Sequence, residues 1–401
     1  MKICFVTIDY HSGQGGGGIG SYLYTLSMEL VNTGHDVSII CGKTKGEPDF
    51  EEIKKVKVYR VSLGNIHYYL SKLPVVKQSI TLPVREIEWS YAFWKKVLEL
   101  NKSENFDIIE SCETGNLFSI LFPHKAPWII RAHGATYSFK KYSGETIGLS
   151  ERLDRAIQRH CMRRSAAVSA PSAFQAGEIE KEIGKKQSVA VIPNPVDPQF
   201  FEEENARRRK EDVGRRTKTI LYTGRIEIRK GTLVLLKAMS HVIGQYENVE
   251  LVIAGGRHVS VSEKMLDEVL DSRGIRSCVK LPGHIPWQEI KKLYESCDIF
   301  AIPSYYETFC ISAVEAMACG RPVVGTFGTA LPEVVEDGVT GLLVPPGDAT
   351  ALAEAILRLL NDEGLARRMG AAGREKAAQY RPDFIAKKTL EFYENVVGGK
   401  T

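Results

Sequence analysis

At 401 residues the chain exceeds the about 250–300 at which a single hydrophobic core stops growing, so two domains of roughly 200 residues each are expected. A hydrophobic content of 43% and a charged content of 25% are those of a globular protein, and a formal net charge of +4 gives no ground for a nucleic-acid partner. The eight cysteines (Cys4, Cys41, Cys112, Cys161, Cys278, Cys297, Cys310, Cys319) form no C-x-x-C pair, which excludes a zinc or disulfide framework and predicts reduced, mostly buried thiols in a cytoplasmic protein.

In chain order, a short apolar strand, KICFVTI, leads into GQGGGGIGSYLYTL, Gly13 to Leu26, where six glycines fall within eight residues. Two G-x-G-x-x-G registers fit, Gly13-Gly15-Gly18 and Gly15-Gly17-Gly20. A dinucleotide fingerprint, however, needs its first glycine at the strand end and an acidic residue about 20 positions on, at the end of the second strand. Here DYHS intervenes, the second strand closes on Cys41, Gly42 and Lys43, and Asp36 stands at its beginning. A nicotinamide cofactor is therefore not expected. The loop offers bare backbone and then a helix N-terminus, whose free N–H groups favour a phosphate or another anion.

Further strand-like runs, DVSIIC, KVYRVSL, FDIIES, PWIIRAH and AAVSAPS, alternate with helical patterns and predict parallel βαβ units. Between the third and fourth runs, the stretch around residues 68–96 mixes Tyr68, Tyr69, Trp89, Tyr91, Phe93 and Trp94 with Lys72, Lys77, Arg85, Lys95 and Lys96. A long helix that buries its aromatics and wets its lysines fits this pattern. So does a cationic amphipathic surface in peripheral contact with the inner face of a membrane, or with an acceptor carrying an anionic lipid. No run approaches the roughly 18 apolar residues of a membrane span, and the N-terminus passes straight into a strand, so neither export nor spanning is expected.

After VAVIPNPVDPQFF comes a charge run, Glu202 to Lys218, read as a solvated linker or fraying helix at a domain boundary. A second series follows, TILYTGR, VELVIAGG, CVKLPGH, DIFAIPS, RPVVGT and GLLVPPGD, which predicts another open α/β sheet. Two doubly wound Rossmann-like domains are thus expected to face a cleft, residues 1–195 on the acceptor side and 196–379 on the donor side. Ligands bind such folds at the carboxyl ends of the strands. The last segment, PDFIAKKTLEFYENVV, is an amphipathic helix with no strand after it, and residues 380–401 are expected to cross back onto the first domain.

In the second half, Arg225 and Lys230 lie just past a strand end and Gly231 opens the next helix, which suits a diphosphate whose charge needs compensation. After DIFAIP the chain offers Glu307, then a helix whose first amides are expected to be those of Thr308, Phe309 and Cys310, then Glu315 about a turn further in. Helical side chains lean toward the N-terminus, so Glu315 can reach back toward what those amides hold. Carboxylates beside an anion site suit hydroxyls on either side of it, as in the ribose and hexose of a nucleotide sugar.

ETFCISAVE followed by AMACGRPVV resembles the signature of the retaining GT-B glycosyltransferases, family 4. GR-x4-KG at Gly224 to Gly231, VIPNPVD at Val191 to Asp197, RAHG at Arg131 to Gly134 and GGGGIGSY match that family's diphosphate grip, interdomain linker, first-domain histidine and acceptor-side glycine loop, in the expected order over nearly the whole chain. The resemblance implies that Arg225 and Lys230 bind the donor diphosphate with the Phe309 and Cys310 amides, that Glu307 holds hydroxyls of the transferred sugar and Glu315 the ribose. His284 and Ile285 would stand beside the base, His133 near the reacting centre, and Gly17 and Gly18 near the phosphate, with Gly224, Gly255 and Thr308 completing the donor side. Cys310 stands where the family usually has a second glycine, and Pro195 where glycine is commoner, which stiffens the hinge.

The resemblance implies a retaining transferase that moves a hexose from a UDP- or GDP-linked donor to a hydroxyl acceptor, lipid-linked, peptide or small molecule, for envelope glycan, glycolipid or glycoside synthesis. No D-x-D pair occurs in the sequence, so no metal and no other cofactor are expected, and Arg225, Lys230 and the helix terminus stabilise the leaving group. On this reading Lys230→Ala and Arg225→Ala lower turnover by orders of magnitude and leave the melting temperature nearly unchanged. A non-hydrolysing nucleotide-sugar epimerase of the same fold and an inactive sugar-nucleotide sensor are the rival readings.

Overall fold

The computed structural model describes residues 1–10, 17–72, 80–122, 125–134, 136–184, 188–202 and 217–399. Gly13, Gly15 and Gly16 of the glycine loop, Lys77 of the aromatic stretch and all of the charge run between 203 and 216 lie outside the described residues. The chain divides into two compact units, Met1–Pro195 together with Pro382–Thr401, and Val196–Arg381.

The first unit is an eight-stranded sheet in the order β3-β4-β2-β1-β5-β6-β7-β8. Its strands are β1 (Lys2–Thr7), β2 (Asp36–Gly42), β3 (Phe50–Ile53), β4 (Val56–Val61), β5 (Ile108–Ser111), β6 (Trp128–Arg131), β7 (Ala167–Ala170) and β8 (Val189–Val191). All six predicted runs form strands, and every pairing is parallel except that of β3 with β4. Residues Ile108–Ser111, Trp128–Arg131 and Ala167–Ala170 are buried throughout, as parallel strands covered on both faces must be. The long helix Thr81–Glu104 buries Trp89, Phe93, Val97 and Leu100 against them. Burying a side chain of that size contributes about 1.5–3 kcal/mol. The C-terminal helix Pro382–Val397 packs beside the helix Gly17–Asn32. The hydroxyls of Tyr393 and Tyr22, one from each of these helices, donate to the two oxygens of Glu110 at 2.9 and 2.7 Å.

The second unit is an all-parallel six-stranded sheet, β11-β10-β9-β12-β13-β14. It comprises β9 (Lys218–Thr223), β10 (Val249–Ala254), β11 (Val279–Gly283), β12 (Ile299–Ile302), β13 (Val323–Thr326) and β14 (Gly341–Val344), the six predicted runs in order. In both units the strand order reverses once, between β1 and β5 and between β9 and β12. Loops leaving two such neighbouring strands diverge to opposite faces and open a crevice at their carboxyl ends. All eight cysteines are free thiols. Among the described residues no helix is long and apolar enough to cross a membrane.

Candidate functional site

The loops that leave β9 and β12 meet at the switch point of the second unit. Gly231 has φ +67°, and a Cβ there would lie 1.9 Å from the Pro303 carbonyl oxygen, so only glycine permits the contact. The contact is locked by Tyr305 N–H donating to Arg229 O at 2.8 Å and by the Arg229 guanidinium donating to Tyr306 O at 3.0 Å. Lys230 and Glu307, one on each loop, are thereby joined, Nζ to Oε1 at 2.7 Å, and Ser304 Oγ donates to the same oxygen at 2.7 Å. Burial pushes the Glu307 carboxyl up, but the Lys230 and Arg229 charges and the two hydrogen bonds outweigh it and hold the group below its ordinary value. It is a buried carboxylate.

Arg225 is placed differently from Lys230. Its side chain is 58% exposed and lies 3.5 Å from Glu227, which also pairs with Arg229. Gly224, Gly255 and the turn after β11 are laced together. Gly224 N–H donates to Ala254 O at 2.9 Å and Gly255 N–H to Gly283 O at 2.8 Å. A Cβ on Gly255, which has φ +153°, would fall 2.0 Å from Gly224 O. Exposed His284 and half-buried Ile285 follow directly on this lattice, at the carboxyl end of β11.

The helix expected to begin at Thr308 begins at Ile311 and runs to Ala318. Thr308, Phe309 and Cys310 form a bend before it, because Cys310, its cap, adopts φ +80°. An L residue with a side chain is held there at a cost of about 1–2 kcal/mol, so the glycine the family usually has at this position matches the backbone and the cysteine does not. Phe309 is buried with its ring 5.3 Å from that of Tyr380, and burial pushes the Cys310 thiol up to about 12. The expectation that Phe309 and Cys310 supply the first helical amides is corrected: those amides belong to Ile311 and Ser312.

Glu315 sits inside this helix, buried, with Oε2 accepting from Tyr294 OH at 2.6 Å, and Tyr294 OH in turn lies 2.7 Å from Thr223 Oγ1 at the end of β9. Burial raises its carboxyl from 4.5 to about 7. The folded protein therefore keeps this proton where the unfolded chain has released it. The stabilisation is full below about pH 4.5 and is lost as the pH rises through about 7. Glu315→Gln is expected to flatten that fall by about 3 kcal/mol, read from urea unfolding of both proteins at several pH values between about 4.5 and 8.

His133, Gly17 and Gly18 belong to the first unit. Gly17 and Gly18 are exposed and open the helix that carries Tyr22, whose ring lies 5.0 Å from that of His133. Burial, with the Arg131 charge adding to it, holds His133 well below its ordinary value and keeps it neutral. Its loop is fixed by a residue the sequence reading passed over. Both Glu113 oxygens accept backbone N–H groups, from His133 and Gly134, each at 2.9 Å. Glu86 holds the loop after β5 with one oxygen, Oε1 accepting from the N–H groups of Gly115 and Asn116 at 2.6 and 3.3 Å. The one signal for Glu113 was its place in CETG, immediately after a strand. Tyr294, Ser304 and Glu227 had none. No group of three or more His, Cys, Asp or Glu side chains among the described residues is arranged to hold a metal.

Two family models match the chain, the one described as "Glycosyltransferase Family 4" over residues 16–200 and the one described as "Glycosyl transferases group 1" over residues 203–376. An uncharacterized glycosyltransferase of Methanocaldococcus jannaschii is 28% identical over 98% of this chain and 98% of its own length. Among solved structures, sucrose-phosphate synthase from Thermosynechococcus elongatus superposes with a TM-score of 0.81 at 22% identity, covering 99% of this chain and 100% of that one. HepE from Anabaena in complex with UDP-glucose does so with a TM-score of 0.72 at 18% identity, over 98% and 100%.

Proposed function

The chain belongs to the group 1 glycosyl transferases and has their GT-B fold, and on that premise we propose that it moves a hexose from a UDP- or GDP-linked donor to a hydroxyl acceptor with retention of anomeric configuration. The observation that carries this reading is the Lys230–Glu307–Ser304 cluster at the switch point of the second unit. A half-buried ammonium beside a buried carboxylate can exchange their mutual contact for a donor. Lys230 turns to the diphosphate, joined by Arg225 and by the amides of the bend at Phe309 and Cys310, and Glu307 accepts from sugar hydroxyls. Glu315 takes the ribose and the turn at His284 and Ile285 the base, with Gly17 and Gly18 near the phosphate. As the sugar–phosphate bond loosens, negative charge grows on the leaving oxygen, and preorganised cations and amides lower that barrier. The leaving oxygen then accepts the acceptor hydroxyl's proton on the same face. His133, neutral, stays a hydrogen-bonding group near the reacting centre.

The charges this route requires are present in the chain's own cations, so it is proposed to run without a resident metal or cofactor. The free thiols suit a cytoplasmic site of action, and the aromatic, basic region of residues 68–96 suits peripheral contact with a membrane's inner face. Thermal stabilisation by a panel of UDP- and GDP-sugars tests the donor, since a ligand at 100 times its Kd adds about 2.7 kcal/mol. NMR of the product formed with candidate acceptors then reads the anomeric outcome. Inversion would overturn the retaining mechanism. Donor conversion with no acceptor present would favour an epimerase, binding without turnover a sensor, and no shift with any sugar nucleotide would remove the reading.

A further inference from the structure

The helix Thr81–Glu104 has more apolar surface than its own unit uses. One face, with Trp89, Phe93, Val97 and Leu100, is buried in the core. A second row, Val84, Ile87, Tyr91, Trp94 and Leu98, repeats at the same three- and four-residue spacing on the outer side. Ile87 and Tyr91 in this row are exposed. A helix that is apolar on two faces calls for a second apolar surrounding. Its neighbours extend the row. Tyr91 meets Phe118 at 5.5 Å between ring centroids, and Trp94 meets Phe122 at 5.6 Å, while Leu121 and Phe122 at the end of the short helix Leu117–Leu121 are each 53% exposed. On the other flank the helix Ile66–Ser71 is tied down through Glu88, which accepts from Ile66 N–H at 2.9 Å, and it carries exposed Tyr68 and Tyr69.

The exposed charges around this row are mostly cations, and Glu88 within it is held by the amides of Ile66 and His67. Lys72, Arg85, Lys95 and Lys125 are exposed, and Lys72 Nζ stands 4.5 Å from the centre of the Tyr68 ring. The exposed carboxylate on the helix, Glu99, is already paired with Lys96 at 2.8 Å. Aromatic rings that are apolar at one end and polar at the other, ringed by cations, match the boundary of an anionic bilayer. There the rings sit at headgroup level and each cation adds attraction that falls off within a Debye length.

We infer that this face docks the first unit onto an anionic lipid surface. The placement bears on the acceptor, and only this part rests on the proposed transferase reading. Glu86, on the same helix, holds the amides of Gly115 and Asn116, and the helix carrying Leu121 follows directly from that loop at the carboxyl end of β5. Docking therefore brings this loop, in the unit expected to take the acceptor, to the membrane and favours an acceptor carried by a lipid.

The intact protein is to be sedimented with vesicles of phosphatidylcholine alone and with vesicles in which one lipid in four is phosphatidylglycerol. Binding at least about tenfold stronger to the anionic vesicles, and weakening as salt is raised, is the expected result. Two variants, Tyr91→Ser with Leu121→Ser and Phe122→Ser, and Arg85→Gln with Lys95→Gln, are each expected to lose most of it. Circular dichroism and the thermal shift given by UDP-glucose are expected to stay as in the parent, showing both variants folded. Equal binding to both vesicle types, binding to neither, or unchanged binding by folded variants would overturn the inference. So would a dimer seen by light scattering that Phe122→Ser dissolves while the parent ignores vesicles. Vesicle binding without any sugar-nucleotide shift would support the docking face while removing the transferase reading.

Discussion

Lys230→Ala is expected to lower kcat/KM for sugar transfer by about 100- to 1,000-fold, the usual effect of removing one preorganised group that meets charge developing in a transition state. The structure adds a consequence that the sequence reading did not contain. There, both Lys230→Ala and Arg225→Ala leave the melting temperature nearly unchanged. Glu307, however, is a buried carboxylate whose ion-pair partner is Lys230 at 2.7 Å, with the Arg229 charge also acting on it. Taking away one partner of a fully buried ion pair costs about 3–5 kcal/mol, and with Lys230 partly exposed and Arg229 and Ser304 still acting on Glu307 the loss is expected at or below the low end of that range. Lys230→Ala should therefore lose stability as well as turnover, and Glu307→Gln placed in the same chain should recover part of the stability and none of the activity. Arg225→Ala separates the two effects. Its guanidinium is more than half exposed and its ion-pair contact is long, so its loss should lower turnover and move stability by well under 1 kcal/mol. Calorimetry beside initial rates with the donor that stabilises the protein reads all four chains. An active Lys230→Ala protein would end the proposed role of that lysine.

The two sheets were legible because their central strands are unbroken apolar runs between turn residues, a pattern that burial on both faces imposes directly on the sequence. The hairpin of β3 and β4 was not. It turns through Lys54 and Lys55, both with positive φ, where the usual signal would be glycine or asparagine, and β3 reads as the polar FEEI. The late start of the helix Ile311–Ala318 was hidden in the same way, since a cysteine occupies the left-handed position that glycine would have announced. Residue identities at the site could be named from ETFCISAVE and GR-x4-KG, yet their pairing could not. That Lys230 meets Glu307 depends on Gly231 lying against the Pro303 carbonyl, a contact between loops far apart in the chain. Glu110, Glu113 and Tyr22 were missed for a related reason. Each acts on a group brought to it by the order of the strands, and single-residue spacing carries no trace of strand order.

Arg131→Met is expected to cost the first unit about 3–5 kcal/mol. Arg131 is fully buried at the end of β6. Its Nη2 donates to Ile192 O at 2.6 Å and to Asn194 Oδ1 at 2.9 Å, which pins the segment leading to Pro195. Its guanidinium carbon stands 4.3 Å from the centre of the Tyr22 ring. It is also the charge that opposes burial at Glu110, whose carboxyl burial raises and whose partners Tyr22 and Tyr393 reach it from two helices. Methionine fills a similar volume but supplies neither charge nor donors, so Glu110 must take up a proton or stay ionised without a cation, and the carbonyls before Pro195 lose their donor. Glu110→Gln in the Arg131→Met chain should restore part of the loss, because a neutral amide needs no counter-charge. The coupling between the two positions then measures the electrostatic share, and what Glu110→Gln does not restore measures the pinned segment. The same coupling should appear locally. Amide hydrogen exchange along Pro382–Val397 should rise in Arg131→Met, since Tyr393 is held through Glu110, while exchange in Val196–Arg381 should not change. An Arg131→Met protein as stable as the parent would show that the cation does not hold this network, and that the Glu113 carboxylate and the Tyr22 ring position His133, two residues further on, without its help.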